Sequence, residues 1–149
     1  MLQIRNAQFS DSKDIAVLLA QLGYPSSVEE VNNRLRYLEN QVDHATFVAA
    51  VDSGVVGWVH VCVRYHLTEN PFAEISGLVV DEKLRSTGIG FLLLESAEKW
   101  AVDHQCNHIW VRSNILRERA HGFYEKHGYR RLKTQHVYLK ELVVLGGMP

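Results

Sequence analysis

Hydrophobic residues recur every three or four positions in some stretches and alternate with polar ones in others, and that contrast predicts the elements. Ile15, Leu18, Leu19 and Leu22 share one face of a helix that Ser10 is placed to cap and that Gly23 and Pro25 end. Ser27-Val28-Glu29-Glu30 is a capping box for a second helix carrying Val31, Leu35 and Leu38 on one side. Ile89, Leu93, Ala97, Trp100 and Ala101 mark a third, from about Gly88 to His104, and Arg117 to His127 a fourth, stopped by Gly128. Strands are predicted at Leu2 to Arg5, Thr46 to Val51, Val55 to Tyr65, Ala73 to Val80, Ile109 to Arg112 and Val137 to Leu139, with a hairpin at Asp52-Ser53-Gly54. On the longest, Val59, Val61 and Val63 face one way while Trp58, His60, Cys62 and Arg64 face the other. Three strands in succession argue against a purely parallel sheet. The order predicts an α/β (α+β) fold, a mixed sheet with helices on its faces.

Composition narrows the classes. A chain of 149 residues with 46% hydrophobic and 22% charged residues reads as one globular domain, 1–149, with a core of its own. A net charge of -1 argues against a protein that coats nucleic acid or an anionic membrane. Cys62 and Cys106 are too few for a disulfide framework and fit a reducing compartment. No run approaches ~18 apolar residues, and Met1 to Asn6 carries no secretory pattern, so a cytoplasmic protein is expected.

The most specific local feature is Val79 to Gly90, where a buried strand runs through a glycine-containing turn into a long helix. Unpaired amides and the positive end of the helix dipole make such a junction a phosphate cradle, with Gly88 and Gly90 admitting a ligand to the backbone and Arg85 at the rim. No lysine follows either glycine, as a Walker loop would require. No third glycine follows Gly90, as a dinucleotide fingerprint would require. A metal-free diphosphate remains. The competing reading is a plain left-handed turn at a helix start.

Arg85, Gly88 and Gly90 resemble motif A of the GNAT acetyltransferase superfamily, and Ala120, Tyr124 and Gly128-Tyr129 resemble its motif B. The resemblance extends over most of the chain and is weakest between Leu22 and Asp43. It implies a mostly antiparallel central sheet with splayed parallel strands and about four flanking helices. It also implies acetyl-CoA as donor, an amine as acceptor and homodimerisation as the family's common habit. The diphosphate is then expected on the amides of Ser86, Thr87, Gly88, Ile89, Gly90 and Phe91, beside Arg85. The pantetheine arm is expected along Leu78-Val79-Val80, which requires that strand to splay from Ile109 to Arg112. Arg117 stands where the family often has asparagine, so Asn114 and Arg117 are alternative cofactor contacts.

An amine with a pKa of ~10.4 is neutral only about 0.04% of the time at pH 7, a deficit of roughly 4.6 kcal/mol. The resemblance makes Glu74 the base that removes its proton, against a solvated carboxylate at a strand end. It makes Tyr124 the acid that meets the leaving thiolate, against an aromatic packed beside Phe123. Leu78 N–H is expected to hold the oxyanion, with direct attack in a ternary complex; Cys106 as an acetyl carrier has no placed base. His104-Gln105-Cys106-Asn107-His108 lacks a second cluster of ligand spacing, so no metal is expected. His60, Arg64 and Trp58 either border the acceptor or form an outer face. Asp14 to Asn40, with Tyr24-Pro25 between the helices, is the expected acceptor wall. An N-acetyltransferase for small amines is the leading reading. A peptide or protein N-acetyltransferase and a non-catalytic acyl-CoA-binding module are the alternatives.

Overall fold

The β-rich runs become the strands of one sheet in the computed structural model, which describes residues 1–113 and 117–146. β1 (Gln3–Asn6), β2 (His44–Val51), β3 (Gly54–His66) and β4 (Glu69–Val80) follow one another antiparallel, and β5 (Ile109–Val111) adds parallel to β4. The helices are α1 (Ser12–Leu22), α2 (Val28–Glu39), α3 (Ile89–Asp103) and α4 (Glu118–Lys126). The chain divides into Met1–Arg112, which holds the sheet and the first three helices, and Ser113–Pro149. No helix among the described residues is long and apolar enough to cross a membrane.

Alternation on β3 sorts the core into two layers. Trp58 pairs with Val48 and Val79 on the face that α1 and α2 cover with Ile15, Leu18 and Val31. Val59, Val61 and Val63 face the other way, where α3 lies through Leu93, Leu94 and Ala97, all buried. The Cδ1 of Leu93 comes so close to Gly57 that a Cβ there would meet it at 3.0 Å.

The helix ends mostly follow the local signals. Ser27 Oγ accepts from Glu30 N–H at 3.0 Å while Glu30 Oε1 accepts from Ser27 N–H at 2.9 Å, the reciprocal box expected for α2. Gly23 ends α1 with φ 104°, its N–H reaching Leu19 and Ala20 carbonyls. Ser10 is not the cap of α1. A 3-10 turn, Phe9–Asp11, precedes the helix, and Asp11 Oδ2 accepts Gln8 N–H at 2.7 Å. A carboxylate is the stronger acceptor, and Arg5 of β1 holds it in place with bonds of 2.8 and 2.9 Å. Burial works against the Asp11 charge, but Arg5 and the Gln8 amide outweigh it and hold the carboxyl below its usual range.

In Ser113–Pro149, α4 carries a ring cluster in which Phe123 and Tyr129 flank Tyr124, with centroids 5.2 and 5.6 Å away. The strand expected at 137–139 does not form, and residues 129–144 have no regular secondary structure. Val137, Tyr138 and Leu139 have β-forming side chains, but all three are exposed, and strand propensity acts only on a pleated surface with a partner to pack and bond.

Two substitutions test this frame. Asp11→Asn leaves Arg5 without its counter-charge and is expected to cost about 2–4 kcal/mol in urea unfolding at pH 7. Because the folded carboxyl titrates below its ordinary value, the wild-type advantage is full above about pH 4 and fades as pH falls further. Gly77→Ala would put a Cβ 2.8 Å from Cη2 of Trp58, a rigid ring that has to move. About 1–3 kcal/mol of destabilisation and a shift in tryptophan emission are expected.

Candidate active site

β4 bonds to β3 along its whole length but to β5 only through Ala73, Glu74 and Ile75. The register against β3 slips there. His60 faces Gly77 and Val61 faces Ile75, so Ser76 is the extra residue of a bulge. From Ser76 to Val80 the outer edge of β4 has no strand beside it among the described residues, and alternate peptide groups along it point outward. Leu78, Val79 and Val80, the expected pantetheine strand, therefore lie beyond the last β4–β5 pair, Ile75 with Val111, among the described residues.

That edge leads directly into the cradle. Asp81 N–H donates to Val56 C=O at 2.8 Å, and a 3-10 turn, Glu82–Leu84, follows with Lys83 N–H on Asp81 Oδ1 at 3.0 Å. Arg85 is extended, Thr87 Oγ1 donates to Leu84 C=O, and Ser86 and Gly88 both have positive φ, 67° and 91°. Positive φ at a serine is rare, and it marks a turn whose backbone is shaped for more than connection. Gly88 sits at the N-cap of α3 with open space where a side chain would be, and no acidic residue occupies the first turn. Ile89 and Gly90 begin the helix, where amides have no intrahelical acceptor. The donors, the open space and the absence of a competing anion suit a diphosphate.

On the α1–α2 face, a cleft of about 700 Å³ opens beside the bulge. Leu22, Tyr24 and Pro25 form one wall, with Arg34, Trp58 and Ser76 completing it. Trp58 Nε1 is buried with no acceptor among the described residues.

A polar strip continues along the same sheet face. Glu74, 5% exposed, accepts Arg64 Nε at 3.0 Å and Arg64 Nη2 at 2.9 Å on Oε2, and Arg112 Nε at 2.8 Å on Oε1. The other reading of Glu74, a solvated carboxylate at a strand end, gives way to a buried, arginine-paired one. Charged donors already occupy both oxygens. His44 Nδ1 lies 2.9 Å from His60 Nε2. Burial first, then the neighbouring His44 and Arg64, push His60 down to about 4 against the opposing pull of Glu74, so it is neutral at pH 7. Cys62 Sγ contacts Ser76 Oγ at 3.6 Å, and burial pushes its thiol up.

The remaining expected residues are distributed as follows. Tyr124 lies on α4, partly buried, and desolvation pushes its phenol up to about 12 against the opposing influence of Arg117. Asn114 lies outside the described residues. Arg117 precedes α4 at its N-cap position. Cys106 is buried, with its thiol raised by desolvation, and His104 stacks on Trp100 at 3.8 Å and bonds to its carbonyl, closing the end of α3. Sequence reasoning missed the arginine clamp, the histidine pair and the bulge. The face shared by His60, Cys62 and Arg64 was visible in the alternation, but their partners come from β2, β4 and the segment after β5.

The acetyltransferase (GNAT) family model matches residues 13–129. An uncharacterized N-acetyltransferase of Chlorobaculum tepidum is 28% identical over 135 residues, spanning 89% of this chain and 78% of that protein. An aminoalkylphosphonate N-acetyltransferase of Salmonella typhimurium is 29% identical over 131 residues, spanning 86% and 84%. Among solved structures, an aminoglycoside N-acetyltransferase in complex with CoA shares the fold with a TM-score of 0.84 at 15% identity, over 95% of this chain and 96% of that one. With the open β4 edge, the loop into α3 and a family match over most of its length, the chain belongs to the acetyltransferase (GNAT) family.

Proposed function

We propose that this chain transfers the acetyl group of acetyl-CoA to a primary amine of a small molecule, by direct attack while both substrates are bound. The observation that carries the reading is the β4 edge, open from Ser76 to Val80 and continuous with the N-terminus of α3. The family match crosses from one unit of the chain into the other, which supports their acting as one acetyltransferase domain over 1–149.

In this reading the backbone of Leu78, Val79 and Val80 pairs with the pantetheine arm, and residues 86–91 with Arg85 hold the diphosphate. Asn114 is assigned to the same cofactor on the family resemblance alone. Leu78 N–H faces the carbonyl oxygen as charge develops on it. The acceptor amine occupies the cleft beside Ser76 and attacks the carbonyl from the α1–α2 face. Glu74 is a positioning residue that orients Arg64 and Arg112 and offsets one of their two charges. The cationic neighbourhood disfavours an ammonium, so a bound amine sheds its proton to water more readily than a free one. Buried Cys62 and Cys106, with thiols raised away from the thiolate, support direct attack over a covalent acetyl carrier.

Tyr124 donates a hydrogen bond to the departing thiolate without giving up its proton. Full transfer from a phenol at about 12 to a thiol near ~8.5 is uphill by about 5 kcal/mol. The reading also takes the protein to be cytoplasmic, metal-free and homodimeric, the first from its cysteine usage and the last from the family's habit.

Two variants test the assignment. Gly88→Pro cannot adopt φ 91° and is expected to weaken acetyl-CoA binding at least tenfold by calorimetry with the circular dichroism unchanged. Unaltered binding would remove the cradle from the site. Tyr124→Phe is expected to lower kcat roughly 10²-fold with little change in the KM for acetyl-CoA, and wild-type activity should show no tyrosine ionisation up to pH 10. If acetyl-CoA binds and no amine is ever acetylated, the chain is a sensing module.

A further inference from the structure

The cleft beside the bulge has a one-sided polar inventory. Its only formally charged lining residue among those described is Arg34, and no Asp or Glu lines it. Arg34 Nη1 donates to Ser26 Oγ at 2.8 Å, which aims the guanidinium at the α1–α2 connection. Its nearest counter-charge, Glu30 Oε2, lies 3.9 Å from Nη2 on the same helix, and the other Glu30 oxygen is engaged by Ser27 N–H. At 3.9 Å between half-exposed groups the pair is loose and weakened by water. Trp58 supplies a second, independent sign. Only 7% exposed, it lines the cleft, and its buried Nε1–H meets no acceptor among the described residues, which is costly unless a ligand satisfies it. Ser26 and Ser76 add hydroxyls.

From this donor-rich, carboxylate-free lining we infer that the acceptor is an amine bearing an anionic group, a carboxylate or a phosphonate, whose oxygens are held by Arg34 and Trp58 Nε1–H. The inference rests on the acetyltransferase reading and names the substrate class for its cleft. A polycation is selected against, because a second ammonium would meet Arg34, and Glu30, the one carboxylate paired with that arginine, is not part of the cleft lining. The anion end is anchored by the α1–α2 side, which leaves the amine end to reach the bulge at Ser76.

The test uses four matched amines with the full chain: β-alanine, 2-aminoethylphosphonate, propylamine and 1,3-diaminopropane. Each is titrated calorimetrically into the protein saturated with CoA, and each is assayed for thiol release from acetyl-CoA. The two anion-bearing amines are expected to bind at least tenfold tighter than propylamine, with diaminopropane weakest. Arg34→Gln should collapse the ratio of anionic to neutral amine toward one, acting through KM rather than kcat. Arg34→Lys should restore part of it, and Trp58→Phe should reduce it. Lys13→Gln, an exposed charge outside the cleft, should leave the ratio unchanged. Tightest binding by diaminopropane, or a ratio indifferent to Arg34→Gln, overturns the inference. Anion-selective binding without thiol release from any amine upholds the inference about the cleft and sinks the acetyltransferase reading instead.

Discussion

A β-strand that is bonded on one side and open on the other is a liability in most proteins, since its unpaired amides and carbonyls attract any passing edge. Here β4 is bonded to β3 throughout and to β5 for three residues only, and everything around the site depends on keeping it so. The bulge at Ser76 re-aims the strand at the place where β5 is lost. Gly77, beside it, has no side chain because the Trp58 ring already fills that space. The same strand then delivers the chain to the start of α3, so one continuous segment presents first an open edge and then a helix N-terminus. The sheet supplies rigidity to a row of hydrogen-bonding groups that it does not itself use.

Charge in the sheet unit is handled by pairing at its buried points and by neutrality elsewhere. Asp11 and Glu74 are both nearly buried carboxylates, and each is held by arginine with short, charge-assisted bonds. Removing one partner of such a pair strands a charge in low dielectric, which is why the pairs locate β1 and β4 so firmly. His60 takes the other course and stays neutral through desolvation, with His44 against it. Glu74, His60 and His44 lie on the sheet face that carries Trp58 and Cys62, and they set its electrostatic character.

Much of the local structure was legible before any fold was known. The turn into α3 could be located from Arg85, Gly88 and Gly90 because a glycine-bearing strand-to-helix junction is encoded within a dozen consecutive residues. The Ser27–Glu30 box and the Gly23 stop were readable for the same reason. Glu74 could be singled out by its spacing, but its two arginine partners could not, since both arrive from other strands and segments. Ser10 was mistaken for a cap because the 3-10 turn Phe9–Asp11, which Arg5 helps fix through Asp11, comes before α1 and takes Ser10 inside it. Val137 to Leu139 have strand chemistry and no strand, because propensity cannot provide a partner.

The sequence by itself determined the period of the four helices and the first five strands, the Ser27–Glu30 box and the Gly23 stop, the face each β3 residue occupies and the position of the glycine-bearing turn before α3. All of these depend on contacts within a few residues, where backbone geometry dictates which side chains meet. Tertiary structure alone decided that β5 stops after three residues, that Ser76 bulges, that Arg64 and Arg112 close on Glu74, and that Arg34 and Trp58 share one cleft. Register and burial are properties of pairs far apart in the chain, so no local pattern encodes them, and the charge state of each group follows from them.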